Sequence, residues 1–260
     1  MNRDGQKINS EFWKQWWNSR SRGVSSDFEL NRNYFPRDSE IERIWKEKLL
    51  ISIDAKKSDV VLDAGCGSGE NISAMWQKVN SINGLDYSEG MIDRCKRRLE
   101  NESISNAKLM VGSITDIGLK ENQFDKILCM SVLQYIDDEA CLSALRELVR
   151  VSRDGALIVF HVKNLSSLYL STLYAAKRIK KLFGRNVMID HYRTYAWYKK
   201  ELKKVGGQIV DYYSSNVLMF DLFPKYLVCK IRKIEAKLFM EKWNTKYGAD
   251  LHLMVKINKH

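Results

Sequence analysis

The residues best suited to chemistry lie in one run, VVLDAGCGSG, from Val60 to Gly69. A short apolar stretch leads into Asp63, and Gly65, Gly67 and Gly69 then occupy alternate positions. Glycine lets a chain turn tightly and brings its backbone within contact distance of a ligand. Dinucleotide folds also use glycine triplets, but with Gly-x-Gly-x-x-Gly spacing and a diphosphate seated on the helix N-terminus. Here the spacing is Gly-x-Gly-x-Gly, and Glu70 follows at once. A carboxylate there opposes a diphosphate by about 1 kcal/mol or more at close range. It suits a phosphate-free, cationic nucleoside such as S-adenosylmethionine. Asp86 closes the next apolar run, 17 residues beyond Gly69. A carboxylate in that position can accept hydrogen bonds from a ribose diol.

Were that ligand to donate its methyl group, the step would be an in-line displacement at a sulfonium, and the protein would mainly align donor and acceptor. An oxygen acceptor often needs a general base, whereas a neutral amine does not during attack. His161 is one candidate base, because it ends an apolar run on the edge where such sheets bind ligands. His191 opens the sequence HYRTY just before a helical stretch and is a second candidate, as base or substrate hydrogen-bonder. Arg193, two residues on, can clamp an anionic substrate group. Gln134 and Tyr135 follow the fourth apolar run and can face substrate, while Asp137 fits a helix cap better. The four histidines are unpaired in sequence and the five cysteines are scattered, so no metal centre is expected and the thiols read as free.

The elements that must carry these groups alternate. Short apolar strands at 60–62, 82–85, 107–111, 124–130 and 156–160 are separated by helical patterns at 70–79, 88–100 and 137–152. That rhythm means βαβ units and a mostly parallel sheet covered on both faces. After residue 161 it breaks into a helix over 165–183, a helix over 195–205, a strand near 208–213, a basic helix over 225–241 and a last strand at 250–257. Ahead of the sheet, residues 8–50 read as helix, turn, helix. Phe12, Trp13, Trp16 and Trp17 form one aromatic face there, which packs on the domain or closes over the ligand as a lid.

Several of these stretches together resemble the class I S-adenosylmethionine-dependent methyltransferases, over residues 58 to 210. VVLDAGCGSG looks like that family's first motif and Asp86 like its ribose-binding acid. FDKILCMSVLQYI, from Phe124 to Ile136, is similar to the fourth-strand motif, and VSRDGALIVF to the helix-turn-strand before strand five. HYRTYAWYKKELKKVGGQIVDYY resembles the later helix and sixth strand of small-molecule members. The resemblance implies a doubly wound, mostly parallel, seven-stranded Rossmann-like α/β sheet whose seventh strand returns antiparallel. It implies that Asp63, Gly65, Cys66 and Gly67 surround the methionine part of the cofactor. Asp86 would bind ribose, with Tyr87 or Met91 packing near adenine and Gly112, Ser113 and Ile114 along its edge. Met130 and Ser131 would lie beneath the sulfonium. Ser113 stands where an Asp is common, which removes a charged hold on the adenine amino group.

The expected organisation is a helical N-terminal lid over 1–57 and a methyltransferase domain over 58–260. Helical substrate-cap insertions are expected at about 163–205 and 218–245. Residues 1–58 carry a net charge of +3, 59–160 of −5 and 161–260 of +13, giving the total of +11. An anionic, sugar-linked or lipid-linked small-molecule acceptor suits that basic end. The helices at 165–183 and 225–241 each put lysines and arginines beside an apolar stripe, fitting a substrate cap or, alternatively, peripheral membrane contact. Nucleic acid is the weaker partner: Met130, Ser131, Val132 and Leu133 stand where base-methylating enzymes carry Asn-Pro-Pro-Tyr-like sequences. A non-catalytic binding module is a further alternative, since fold alone does not prove activity. No run reaches the roughly 18–20 apolar residues of a membrane span, and a cytoplasmic location is expected. Nothing in the sequence fixes an oligomeric state.

Overall fold

The computed structural model describes residues 10–23, 39–185, 190–217, 224–240 and 245–259. The loop expected between the two N-terminal helices, and parts of the second cap insertion, lie outside them. Strands β1 (Val60–Ala64), β2 (Ser81–Asp86), β3 (Ala107–Val111), β4 (Phe124–Met130), β5 (Ser152–Lys163), β6 (Gly207–Ser215) and β7 (Asp250–Ile257) form one sheet. Its order is β3-β2-β1-β4-β5-β7-β6. The first five strands run parallel, and β7 lies antiparallel between β5 and β6. The seven-stranded Rossmann-like expectation holds, reversed strand included. The chain moves outward from β1 through β2 to β3, then returns to β4 on the other side of β1. A crevice therefore opens beyond the carboxyl ends of β1 and β4, the place where open α/β sheets bind ligands.

Alternating side chains give the sheet two apolar faces. Leu62, Ile127, Ile158 and Phe160 point to one face, covered by α5 (Asp138–Val151) and α7 (Tyr195–Lys204) through Leu145, Leu148, Tyr198 and Leu202. Val61, Ile82, Leu128 and Val159 point to the other. That face is covered by α2 (Ser39–Ile53), α3 (Glu70–Met75) and α4 (Glu89–Asn101), through Leu49, Ile53, Ile72, Met75, Cys95 and Leu99. The helix expected over 70–79 is shorter, because a 3-10 turn at Trp76–Lys78 follows α3. Strand β5 begins at Ser152, four residues before the apolar run, because its polar start pairs with Phe124 across an irregularity in register. Asp137 caps α5 by accepting the Ala140 N–H at 2.9 Å, so its role is the helix cap.

The three outer helices differ. Helix α1 (Ser10–Gly23) lies against α4. Helix α8 (Lys225–Met240) buries Val228 and Ala236, and Lys233 and Lys237 pair with Glu40 of α2. Helix α6 (Leu168–Leu182) buries Leu170 but leaves Leu168, Leu173, Ile179 and Leu182 exposed, with Phe183 beyond it. The apolar stripe expected to face inward on α6 thus faces out. Among the described residues no helix is long and apolar enough to cross a membrane.

Candidate active site

The glycine loop is built for close approach. Gly65, Gly67 and Gly69 have φ of 86°, 52° and 83°, the left-handed region that a side chain disfavours. The N–H groups of Gly65 and Cys66 donate to the Leu85 carbonyl at 2.7 and 3.0 Å, tying the loop to β2. A Cβ added at Gly65 would sit 2.1 Å from Val132 Cγ2, and one at Gly69 would sit 2.5 Å from Cys95 Sγ. At Gly67 it would meet no atom within 4 Å. Two glycines are therefore needed for packing, and the middle one presents bare backbone to the crevice. The Cys66 side chain packs inward, as a free buried thiol. Its thiol is buried against Cys95, whose hydrogen bond together with burial pushes its pKa up, so only its backbone belongs to the loop.

Two carboxylates flank this loop. Asp63 is 0% exposed. Its Oδ1 accepts from Asn71 Nδ2 at 3.4 Å, and its Oδ2 has no hydrogen-bond partner. Burial, with a smaller push from the Asp86 charge, raises its pKa to about 7. An orphaned, buried carboxylate oxygen beside bare backbone calls for a cationic donor and repels a phosphate. These residues fit S-adenosylmethionine: Asp63 and Gly67 would hold its amino-acid part, where the group supplies an electrophilic methyl and a neutral thioether leaving group. Asp86 already works within the protein, accepting the Gly67 and Ser88 N–H groups at 2.9 Å each. Burial raises its pKa and those N–H groups pull it back.

Along the expected adenine side, Tyr87 is half-exposed, with Lys14 5.1 Å above its ring. Met91 is buried, and its N–H is taken by Ser88 Oγ. The Gly112 N–H donates to the Asp86 carbonyl at 3.0 Å, holding the β3 turn against β2. Ser113 Oγ contacts Thr115 Oγ1 at 2.7 Å and accepts the Thr115 N–H. Ile114 is buried, in the core cluster beneath the sheet's carboxyl end. Helix α1 lies over this region. Asn18 Oδ1 accepts from Ser88 Oγ at 2.6 Å and from the Gly90 N–H at 3.0 Å. At its other end Trp13 and Trp17 pack on the Tyr135 ring, at 4.5 and 5.9 Å. One short aromatic helix thus bridges the β2 and β4 ends of the crevice.

Beyond β4 a polar cluster forms. Met130 is half-buried, and Ser131 takes φ 61°, rare for a side-chain-bearing residue. The Ser131 N–H donates to the His161 carbonyl at 3.0 Å, and its Oγ lies 2.5 Å from His161 Nδ1. The other ring nitrogen, Nε2, lies 3.2 Å from Asp250 Oδ1. Lys163 and Asn216 also bond Asp250. Burial alone would raise the Asp250 carboxyl, but Lys163 and His161 hold it well below the carboxylate range. His252 stacks on His161 at 4.6 Å and on Tyr213 at 4.3 Å. The sequence pointed to His161 and Ser131 separately. It gave no hint of Asp250, which reaches them only through the antiparallel register that sets His161 opposite His252.

The third group comes from the segment before α7. The His191 N–H donates to the Gln134 carbonyl at 2.9 Å, which sets it beside the β4 turn. Burial first, then the Arg193 charge, lowers its pKa. Tyr192 Oη donates to Asp190 Oδ2 at 2.6 Å, and Lys177 Nζ sits 3.6 Å from the same carboxylate. Arg193 does not offer a fork to substrate. It is 4% exposed, with Nε on Asp138 at 2.8 Å and its terminal nitrogens on the carbonyls of Leu133, Ile136 and His191. Its guanidinium is a strut that ties the β4 turn to α7, since buried carbonyls need donors. Among the described residues no three His, Cys, Asp or Glu side chains gather as a metal site.

A glycine cradle and buried carboxylates at the switch point of this sheet define an α/β nucleoside-binding protein. Residues 61–155 match the family described as methyltransferase domain. A demethylmenaquinone methyltransferase of Geobacillus kaustophilus is 24% identical over 170 residues, covering 63% of this chain and 71% of that one. Demethylmenaquinone methyltransferases of Staphylococcus epidermidis match at 28% over 123 residues, and the chain spans about half their length. Among solved structures, Haemonchus contortus phosphoethanolamine N-methyltransferase 1, in complex with phosphoethanolamine and S-adenosylhomocysteine, has a TM-score of 0.67 at 15% identity. That likeness covers 96% of this chain and 49% of the other, and it concerns the fold. Over residues 61–155 the chain is thus similar to methyltransferase domains, and its fold is that of the class I S-adenosylmethionine-dependent methyltransferases.

Proposed function

We propose that this protein transfers the methyl group of S-adenosylmethionine to a hydroxyl oxygen of a small molecule, with His161 as the proton acceptor. The observation that carries the cofactor part is Asp63 Oδ2, buried and unsatisfied beside the bare Gly67 backbone. The oxygen part is supported by His161, braced by a buried carboxylate and aimed at the β4 turn, because a base is needed chiefly for hydroxyl acceptors. His191 and Tyr192 would line the acceptor side. The relatives named for demethylmenaquinone and phosphoethanolamine support a small molecule over nucleic acid. Calorimetry with S-adenosylhomocysteine tests the cofactor part, and no binding near 1 mM would refute it. Mass spectrometry of a metabolite pool, incubated with the protein and labelled cofactor, tests the acceptor. Label appearing on nitrogen or carbon alone would refute the hydroxyl assignment.

The tip of α6 supports a lipid-linked acceptor. Leu182 and Phe183 are 85% and 82% exposed beside exposed Lys180, Lys181 and Arg185. An apolar tip ringed by cations suits an anionic bilayer surface. Sedimentation with phosphatidylglycerol vesicles should carry the protein down and phosphatidylcholine vesicles should not. Equal recovery with both would refute it.

A further inference from the structure

His161 cannot take a proton directly from an acceptor, because both of its ring nitrogens are engaged, by Ser131 Oγ and by Asp250 Oδ1. Which nitrogen carries the hydrogen follows from the charges. Asp250 is fully buried, and Lys163 and Asn216 hold it as well, so its carboxylate accepts only. Nε2 therefore carries the hydrogen, and Nδ1 turns its lone pair to Ser131. The Ser131 hydroxyl must then donate to Nδ1, which leaves the lone pairs of its own oxygen for a third group. His252, stacked on the imidazole, is held neutral by burial and adds no competing charge.

The backbone at Ser131 reinforces this reading. With φ 61° the position favours glycine, yet it carries a hydroxyl at the carboxyl end of β4. The next residue, Val132, packs on Gly65 of the cofactor loop. The hydroxyl thus contacts the imidazole while the adjoining residue packs on the glycine cradle.

We propose that Ser131 is the residue through which the acceptor's proton leaves, an inference that rests on the hydroxyl-methylation reading above. The acceptor's O–H bond breaks and its proton joins Ser131 Oγ, as Ser131's own proton passes to His161 Nδ1. The O–H electron pair stays on the acceptor oxygen as the nucleophile. His161 gains one proton, Ser131 ends as it began, and Asp250 balances the imidazolium. The site therefore selects an acceptor whose hydroxyl reaches Ser131, and an amine attacking in its neutral form would leave this chain idle.

Nitrogen-15 spectra of the full chain with labelled histidine, with and without S-adenosylhomocysteine, test the chain without turnover. His161→Gln identifies the signals. Near neutral pH, Nδ1 should be unprotonated and hydrogen-bonded, and Nε2 protonated. Ser131→Gly should shift Nδ1 to the position of a free nitrogen and keep the melting temperature at or above wild type. Asp250→Asn should bring up the other tautomer, since an amide can donate to Nε2. A protonated Nδ1 in the wild type, or an Nδ1 signal unmoved by Ser131→Gly, overturns the proposal. Absent S-adenosylhomocysteine binding would instead sink the methyl-transfer reading and leave the tautomer result standing.

Discussion

Replacing Asp63 by Asn removes a buried carboxylate of which one oxygen has no hydrogen-bond partner. The Asp63 carboxyl has its pKa raised from 3.8 to about 7 by burial. A folded-state value above the unfolded one means the folded protein holds a proton that the unfolded chain has lost. Stability from this group is therefore complete below pH 3.8 and drains away as pH rises towards 7. At about 1.36 kcal/mol per pH unit, the cost is about 2 kcal/mol at pH 5.5 and about 4 kcal/mol at pH 7.5. Asp63→Asn removes the charge and the titration. Without ligand, the variant should gain about 2 kcal/mol on wild type between those two pH values. That is about 4–8 °C in melting temperature for a domain of this size. Binding should move the opposite way. Wild type should hold S-adenosylhomocysteine about tenfold tighter at pH 7.5 than at pH 5.5 as the carboxylate ionises, and the variant should be weak and flat. Equal melting differences at both pH values, together with unchanged affinity, would refute the assignment of Asp63 to the ligand's cationic group.

Asp86→Ala removes an acceptor of two backbone hydrogen bonds, so S-adenosylhomocysteine affinity should fall by about 1–3 kcal/mol, read by calorimetry. Gly65→Ala should destabilise the fold by more than about 2 kcal/mol through its collision with Val132 on top of its left-handed backbone, whereas Gly67→Ala, which meets no neighbour, should cost only the roughly 1–2 kcal/mol of its backbone angle and lose cofactor affinity. Arg193→Gln leaves buried carbonyls without donors, and denaturant melts should show a loss of about 3 kcal/mol or more. Asn18→Ala should free α1, giving faster proteolytic cleavage within residues 10–23 and faster ligand release.

The sheet was legible because its cause is local. An apolar run of four or five residues followed by an amphipathic helix has few other ways to bury itself, and β1 to β5 follow from that. The cradle was legible for the same reason, since glycine spacing and Glu70 act within one turn. What stayed hidden depends on distance. Asp250 bonds His161 from 89 positions away. Nothing short of the β5–β7 register could pair them, because a slip of one residue would point the carboxylate to the opposite face. Arg193 misled because an arginine beside a candidate pocket looks like an anion clamp, and only the placement of the Leu133 and Ile136 carbonyls turns it inward. The α6 stripe misled differently: period alone says that a helix has an apolar face, not that anything covers it.

These long-range contacts converge on the β4 turn. Val132 fills the space that a side chain at Gly65 would need, so the turn and the cofactor loop fix each other's position. Arg193 holds the far side of the turn by two carbonyls at 2.8 Å each. Trp13 and Trp17 of α1 press on Tyr135 from outside. Between these constraints Ser131 is held at a backbone angle that costs about 1–2 kcal/mol for a non-glycine residue. The surroundings over-determine that angle, and its effect is to keep one hydroxyl on His161. If that is what the constraints accomplish, loosening any of them should act on Ser131 before it acts on the sheet. Arg193→Gln and Trp13→Ala, at temperatures where both remain folded, should each weaken the His161 Nδ1 hydrogen bond in nitrogen-15 spectra. A signal unchanged in both variants would mean that the turn holds its shape without them.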